Sequence, residues 1–336
     1  MPWKSQLTRA FSVKTGIIRA VEFADSIASH LCLATIGDNS SLVIPLFHSI
    51  FPDEDSVHST RYYAQQGVTL GQFRTLLDSL SQAGFQFIRP EDINAGLGDG
   101  KFALLTFDDG YANNLAVLPI LHEFKAPAVF FISAKHVETG KAFWWDVLYR
   151  ETMGVKNSRV RFATASANCK AMRNCEIEEW LKAEFNLRTL SPTCDLDRPM
   201  TPEELRRLST NRFAVIGNHT LDHAILTNYS SPEVRVQIGD CQEELRRMTG
   251  LVPSCIAYPN GNWSPAIVEI AQALGLDTGV CTLPGRNPLP LEKSGKRKMA
   301  LRRALLWGDR NVDAQIRYFR SAFSIRNLIA ELRSGF

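Results

Sequence analysis

Two aspartates, Asp108 and Asp109, stand side by side where the apolar run FALLTF (102–107) ends. In parallel α/β folds the carboxyl ends of buried strands are where active sites gather. Adjacent carboxylates repel, and a cation is the common way to stabilise at least one of them. Asp109-Gly110 is also ordinary turn chemistry, so the pair alone leaves a plain turn open. A second constellation follows the run FAVIG (213–217): His219 and His223 in GNHTLDH. At i and i+4 they would share one face of a helical turn, the geometry by which HExxH binds zinc. With Asp109 they make an Asp/His/His set, which leaves coordination positions open for water and substrate. A third segment, Ala257-Tyr258-Pro259-Asn260-Gly261, is first of all a turn. Functionally, such a turn can aim a backbone N–H at a developing oxyanion.

The elements that must position these residues alternate along the chain. Apolar runs at 42–47, 85–88, 102–107, 128–132, 213–217, 255–259, 277–281 and 300–306 predict strands. Between them, helical spacing predicts helices over 69–83, 113–124, 202–209, 232–249 and 264–274, with 311–334 helical to the end. Pro119 demands a kink or early break in the second of these, and Thr201 with Pro202 forms an N-cap and first turn. Continuous apolar strands alternating with amphipathic helices argue for a parallel sheet, open or closed into a barrel. The rhythm stops over 136–200, which reads as an insertion, helical at its start and around 176–185. The chain thus divides into an amphipathic helical segment (1–40), an α/β unit (41–310) and a C-terminal helix (311–336). Ile17, Ile18, Val21, Ala24, Ile27 and Ala28 fall near helical spacing. They predict a helix packed on the domain, or alternatively a membrane-surface anchor.

Composition narrows the function classes. Of 336 residues, 45% are hydrophobic and 22% charged, enough for a large core. A net charge of +3, without a Lys/Arg stripe interleaved with aromatics, argues against nucleic-acid binding. The basic cluster Lys293 to Lys298 reads as a solvated loop. Seven cysteines, an odd number without a CxxC pair, read as reduced thiols, which fits a cytoplasmic protein. No apolar run is long enough for a membrane span, and no clean signal peptide is evident.

TFDDG, HTLDH and YPNG, in that order, resemble the signature of the polysaccharide deacetylases, the NodB-homology or carbohydrate esterase family 4 group. The resemblance spans roughly residues 40 to 310 apart from the insertion. It implies an irregular (β/α) barrel of about seven parallel strands, and a divalent metal, zinc first, with cobalt, nickel or iron as others. It implies Asp108 as general base, Asp109, His219 and His223 as metal ligands, and the Asn260 N–H as an oxyanion donor beside Tyr258 and Pro259. Two departures stand out. The third motif lacks the family's Arg before its Pro, having Ala257 and Tyr258, and the late strand LRRALLW lacks the family's acid His.

In pattern the chain is similar to the biofilm poly-N-acetylglucosamine deacetylase branch, where a His after an early strand replaces the missing acid. That implies His48 as general acid, against the alternative of a structural histidine. Arg303 is the candidate replacement for the missing Arg, with Asp146 as its pairing partner. Trp144 and Trp145 are candidates for a sugar-stacking wall, or for plain core packing.

The expectation is therefore a metal-dependent hydrolase removing an N-acetyl or other N-acyl group from a sugar in a polysaccharide or glycan precursor. The alternatives are a catalytically silent carbohydrate-binding protein, and a deformylase or amidase of a small or lipid-linked substrate, with peripheral membrane contact through the N-terminal helix. A magnesium phosphoryl-transfer enzyme would also pair aspartates, but magnesium prefers all-oxygen shells, which histidines do not supply.

Overall fold

The computed structural model describes residues 24–325 apart from 26, 39, 60, 156, 294 and 295. Most of the 1–40 segment, including Ile17, Ile18 and Val21, and everything after 325 lie outside the described residues.

Seven strands close into a barrel: β1 (Pro45–Phe47), β2 (Leu105–Phe107), β3 (Ala128–Ile132), β4 (Ala214–Asn218), β5 (Cys255–Ala257), β6 (Thr278–Pro284) and β7 (Leu301–Leu305). Each pairs in parallel with its sequence neighbour, and β7 with β1, so chain order is barrel order. This is the expected irregular (β/α) barrel of parallel strands.

Two of the expected strands are each divided between two sheets. The run 42–47 splits at Ile44 into Ser41–Val43 and Pro45–Phe47, and 101–107 splits at Leu104 into Lys101–Ala103 and Leu105–Phe107. The first halves pair with each other in a separate four-stranded sheet, and the second halves enter the barrel. Every residue from 42 to 47 is buried, so hydrophobicity alone does not reveal the bend.

Side-chain alternation sorts the strands' residues between two cores. Phe47, Phe107 and Phe130 face outward and stack in a row (5.1 and 4.9 Å between centroids), and Phe73 of helix Leu70–Gln82 packs on Phe47 edge-to-face at 5.2 Å. Each such pair contributes about 0.5–1.5 kcal/mol beyond area burial. Val129, Phe131, Ala257, Val280 and Leu301 fill a second cluster with Leu42 and Ile44. Gly217 on β4 leaves the room for Phe131, whose ring would lie 2.4 Å from a Cβ there.

The helices follow their sequence signals. Thr69 and Gln72 form a reciprocal capping box, as do Thr201 and Glu204. Helix Ser231–Thr249 buries Val234, Ile238, Cys241, Leu245 and Met248 along one stripe. The 113–124 expectation resolves into a 3-10 turn (Ala112–Val117) and a helix (Leu118–Phe124) with Pro119 in its first turn, where its missing N–H costs nothing. Of the expected C-terminal helix, Val312–Arg320 is helical and 321–324 are not, and the residues after 325 lie outside the described ones. Helix Ala134–Thr139 runs into the insertion, and among the described residues Trp144–Thr152, Ser158–Cys169 and Asn174–Glu184 follow within it; Ser158–Cys169 lacks a strong apolar stripe and escaped the sequence reading.

Residues 27–35 are helical, but Ile27 and Leu31 are exposed, and Asp25, Ser29 and Cys32 form the buried face. Asp25 accepts hydrogen bonds from Ser324 and the Ile325 N–H. Among the described residues no helix is long and apolar enough to cross a membrane. Among the described residues, the connection from β6 to β7 carries a short strand and a 3-10 turn and no α-helix. A cavity of about 790 Å³ lies on that outer wall, between Val268, Leu283, Leu301 and Phe323, away from Asp109.

Candidate metal centre and cleft

Asp108 follows β2 with its N–H donated to the Phe47 carbonyl (2.9 Å), which keeps the sheet ladder going one residue further. Asp109 then turns into the left-handed region (φ 75°), and Gly110 stays there (φ 90°). Aspartate tolerates this region better than most L residues, and the reversal points two successive carboxylates into one space. Asp109 is fully buried, yet neither of its carboxylate oxygens has a hydrogen-bond partner. A buried carboxylate with no donor is costly, and a bound cation removes that cost.

His219 and His223 supply the rest of the set. Their Nε2 atoms lie 3.4 and 3.5 Å from Asp109 Oδ1, and one ligand atom from each of the three residues falls within 4.8 Å of the others. The expected helical turn is not how they converge. Residues 219–223 form a non-helical turn in which Thr220 (φ 62°) and His223 (φ 60°) are left-handed. Asn218 and Thr220 hold that strained path: Asn218 Oδ1 accepts the Thr220 N–H (2.8 Å), and Thr220 Oγ1 accepts the Ala224 N–H (2.8 Å). His219 Nδ1 lies 2.7 Å from the Ala257 carbonyl, which can only accept, so Nδ1 carries a proton and Nε2 faces Asp109; burial pushes the ring down, but Asp108 and Asp109 outweigh it and raise it above its ordinary value. Burial pushes His223 down to about 3 against the pull of Asp109, so it is neutral, the form that binds a metal. One carboxylate and two imidazole Nε2 atoms fit a borderline divalent cation such as zinc, which would take the place of a proton on His219 Nε2.

Asp108 has a different environment. Alternation along β7 turns Arg303 into the barrel and leaves Arg302 on the outer wall. Arg303 is 0% exposed and grips Asp108 bidentately, with both N···O distances 2.7 Å. Its Nε donates to the Cys281 carbonyl (2.9 Å). Burial pushes the Asp108 carboxyl up, but Arg303 and then His219 outweigh it and hold it below the usual carboxylate range. Asp108 is thus an anion at neutral pH.

The pairing of Asp146 with Arg303 is not found. Asp146, on helix Trp144–Thr152, accepts instead from the Tyr63 N–H (2.9 Å) and the Tyr111 hydroxyl (2.5 Å). Burial pushes its carboxyl up to about 8. Arg303 comes from the far side of the barrel and is fully engaged by Asp108.

A cleft of about 160 Å³ opens above Asp109 and His223. His48 and Asn260 line it from the barrel loops, and Trp144, Trp145, Ser166 and Lys170 line it from the insertion, which therefore forms one wall. His48 Nδ1 lies 2.8 Å from Gln66 Oε1, which also accepts the His48 N–H (3.1 Å). Gln66 Nε2 donates to the Leu46 and Leu306 carbonyls, which fixes the amide's orientation and places the His48 ring proton on Nδ1. Asn260 is left-handed (φ 56°) in a 3-10 turn, and its carbonyl accepts from Thr282 Oγ1 (3.2 Å).

Tyr258 and Pro259 do not reach the cleft. Tyr258 is 0% exposed and packs with Ile238, Ile256 and Met299, and Pro259 is buried beside it. Trp144 and Trp145 are each 7% exposed, and Phe143 stacks on Trp145 (4.9 Å, 12°), so they wall the cleft without an open stacking face. The sequence reading missed Tyr63, Gln65, Gln66, Ser166 and Lys170. They sit in an irregular loop and on a weakly amphipathic helix, where no periodicity marks them. Tyr111 was within reach, being the residue directly after TFDDG.

Over residues 96–279 the sequence matches the profile of the polysaccharide deacetylase family. No match is found among curated proteins. Three solved structures share the fold. The Streptococcus pyogenes deacetylase PplD in complex with acetate is 17% identical (TM-score 0.55, covering 84% of this chain and 99% of that one). The de-N-acetylase from Aggregatibacter actinomycetemcomitans is 13% identical (TM-score 0.56; 82% and 99%). IcaB from Ammonifex degensii is 19% identical (TM-score 0.53; 84% and 99%). At these identities the likeness is one of fold. The family match covers β2 to the start of β6 and includes both aspartates, both histidines and the Asn260 turn; the chain belongs to the polysaccharide deacetylase family.

Proposed function

We propose that this protein is a metal-dependent N-deacetylase that hydrolyses the N-acetyl, or a similar N-acyl, amide of an amino sugar in a glycan. The observation that carries this reading is the pair of contrasting carboxylates. Asp109 is buried without a donor between two histidines, and Asp108, its neighbour, is kept anionic by Arg303.

Asp109, His219 and His223 would hold the cation. When bound, a divalent cation supplies Lewis-acid charge that acidifies water and favours negative charge on oxygen. Asp108 accepts the proton of the attacking water. Arg303 keeps Asp108 ionised, the role of the Arg missing from the third motif. The Asn260 N–H donates to the oxyanion, and its left-handed turn sets the direction. His48, with Nδ1 committed to Gln66, offers Nε2 to protonate the leaving amine. The products are a carboxylic acid, acetate for an acetyl substrate, and an amino sugar. The cleft is smaller than the roughly 300–1,000 Å³ of cavities that engulf a ligand, which favours one acylamino sugar inside and the remaining glycan outside.

Replacing Asp108 with Asn and His219 with Ala tests the reading on an N-acetylated glucosamine oligomer. Hydrolysis should fall by at least about 100-fold in both, and activity retained in both sinks the mechanism. The silent-scaffold alternative rested on a missing Arg and a missing acid, and Arg303 on Asp108 together with His48 in the cleft weigh against it.

A further inference from the structure

We infer that Asp146 is a positioning residue whose carboxyl group sets the stance of the proton donor His48 by anchoring residues 63–66. The inference rests on the reading of His48 as general acid.

Asp146 is 1% exposed and, among the described residues, no Lys or Arg pairs with it. A buried carboxyl without a counter-ion is costly to keep, and its hydrogen bonds show what it holds. Oδ1 receives the Tyr63 N–H (2.9 Å). Oδ2 meets the Tyr111 hydroxyl (2.5 Å), which receives the Trp145 indole N–H (2.7 Å) and lies 3.4 Å from Gln65 Nε2. A backbone amide can only donate, so Oδ1 accepts from Tyr63, and Oδ2 is tied to the Tyr111 hydroxyl that the indole N–H holds in place. The carboxyl therefore joins three pieces: the insertion helix, the loop after β2 and the segment 63–66.

That segment has no regular structure of its own, and Gln65 is left-handed within it (φ 49°). Its last residue, Gln66, accepts both the backbone N–H and Nδ1–H of His48. The path from Asp146 to His48 is thus one short loop, tied at Tyr63 by the carboxyl and ending on the histidine.

A residue that only stabilises the fold would affect all hydrolysis alike. One that places an acid matters for an amine leaving group and not for a 4-nitrophenolate, which departs without a proton. The test measures zinc-loaded wild-type, Asp146→Ala, Gln66→Ala, the double variant and His48→Ala on an N-acetylated glucosamine oligomer and on 4-nitrophenyl acetate. Asp146→Ala should lower amide turnover by at least about tenfold and change ester turnover by less than about twofold. The double variant should lose little more than Gln66→Ala alone, because both act along one path. If Asp146→Ala does not fold, Asp146→Asn carries the same comparison: its single oxygen leaves one of Tyr63 and Tyr111 without an acceptor, and a selective amide loss is again expected. Equal losses on both substrates, or additive losses in the double variant, overturn the inference. His48→Ala with an unchanged amide-to-ester ratio would instead sink the reading of His48 on which it rests.

Discussion

Arg303→Met removes the positive partner of Asp108 and leaves a side chain of similar length. Asp108 is only 2% exposed and accepts two charge-assisted bonds of 2.7 Å from Arg303. Losing one partner of such a buried pair costs about 3–5 kcal/mol, because the remaining charge stays in a poorly solvating site. Asp108→Asn, which strands the arginine, should cost a similar amount. The double variant buries no charge and should be far less destabilised than the sum of the two, a coupling of about 2–3 kcal/mol or more. Urea unfolding of metal-free protein measures all four forms, with no contribution from bound cation. The same substitution should also raise the Asp108 carboxyl, since burial then acts with less opposition. Amide hydrolysis at neutral pH would fall by about 100-fold or more, and what remains would shift to higher pH. A cost below about 1 kcal/mol for Arg303→Met, or strict additivity in the double variant, would show that the pair does not hold the charge.

Three further outcomes are expected. Chelation should abolish activity, and zinc at about 100 times its dissociation constant should raise stability by about 2.7 kcal/mol; a melting temperature indifferent to zinc, or unchanged zinc binding in Asp109→Asn, would contradict the assigned ligands. Gly261→Ala places a Cβ 2.0 Å from Thr282 Oγ1 and 2.7 Å from Thr282 N at φ 78°. It should cost more than about 1 kcal/mol and lower kcat by displacing Asn260, and an equally stable, fully active variant would count against the turn's role. Glu204 is held down to about 2 by Arg198, from a model-peptide value of 4.5. A depressed carboxyl stabilises the fold above its unfolded value, and this contribution is lost as pH falls from about 4.5 through about 2. The pair is a quarter exposed, so about 1 kcal/mol is expected; acid titrations of stability that are the same for wild type and Glu204→Gln across that window would refute it.

The site combines parts of unequal rigidity. Asp108, Arg303 and Asp109 sit on or next to barrel strands. His48 instead depends on Gln66 and an irregular loop, and His223 on a left-handed turn backed by Trp145. Substitutions in the insertion should therefore alter proton transfer to the leaving group more than proton removal by Asp108.

The amino-acid sequence by itself determined the barrel strands and the order of the chemistry-bearing segments. Buried parallel strands are short apolar runs, and Asp-Asp and His-x-x-x-His are local patterns whose spacing survives any folding detail. It also pointed to Arg303 on the late strand, as the replacement for the Arg that the third motif lacks. Only the tertiary structure decided what that guanidinium meets: Asp108, 195 positions earlier, and not Asp146. It likewise decided that Tyr258 turns into a core, that the histidines converge through a strained turn, and that the runs 42–47 and 101–107 each serve two sheets. The Gln66, Tyr63 and Tyr111 contacts were invisible for one reason. Hydrogen bonds between segments far apart in sequence leave no periodic trace, and they exist only once the barrel closes and brings its loops to one end.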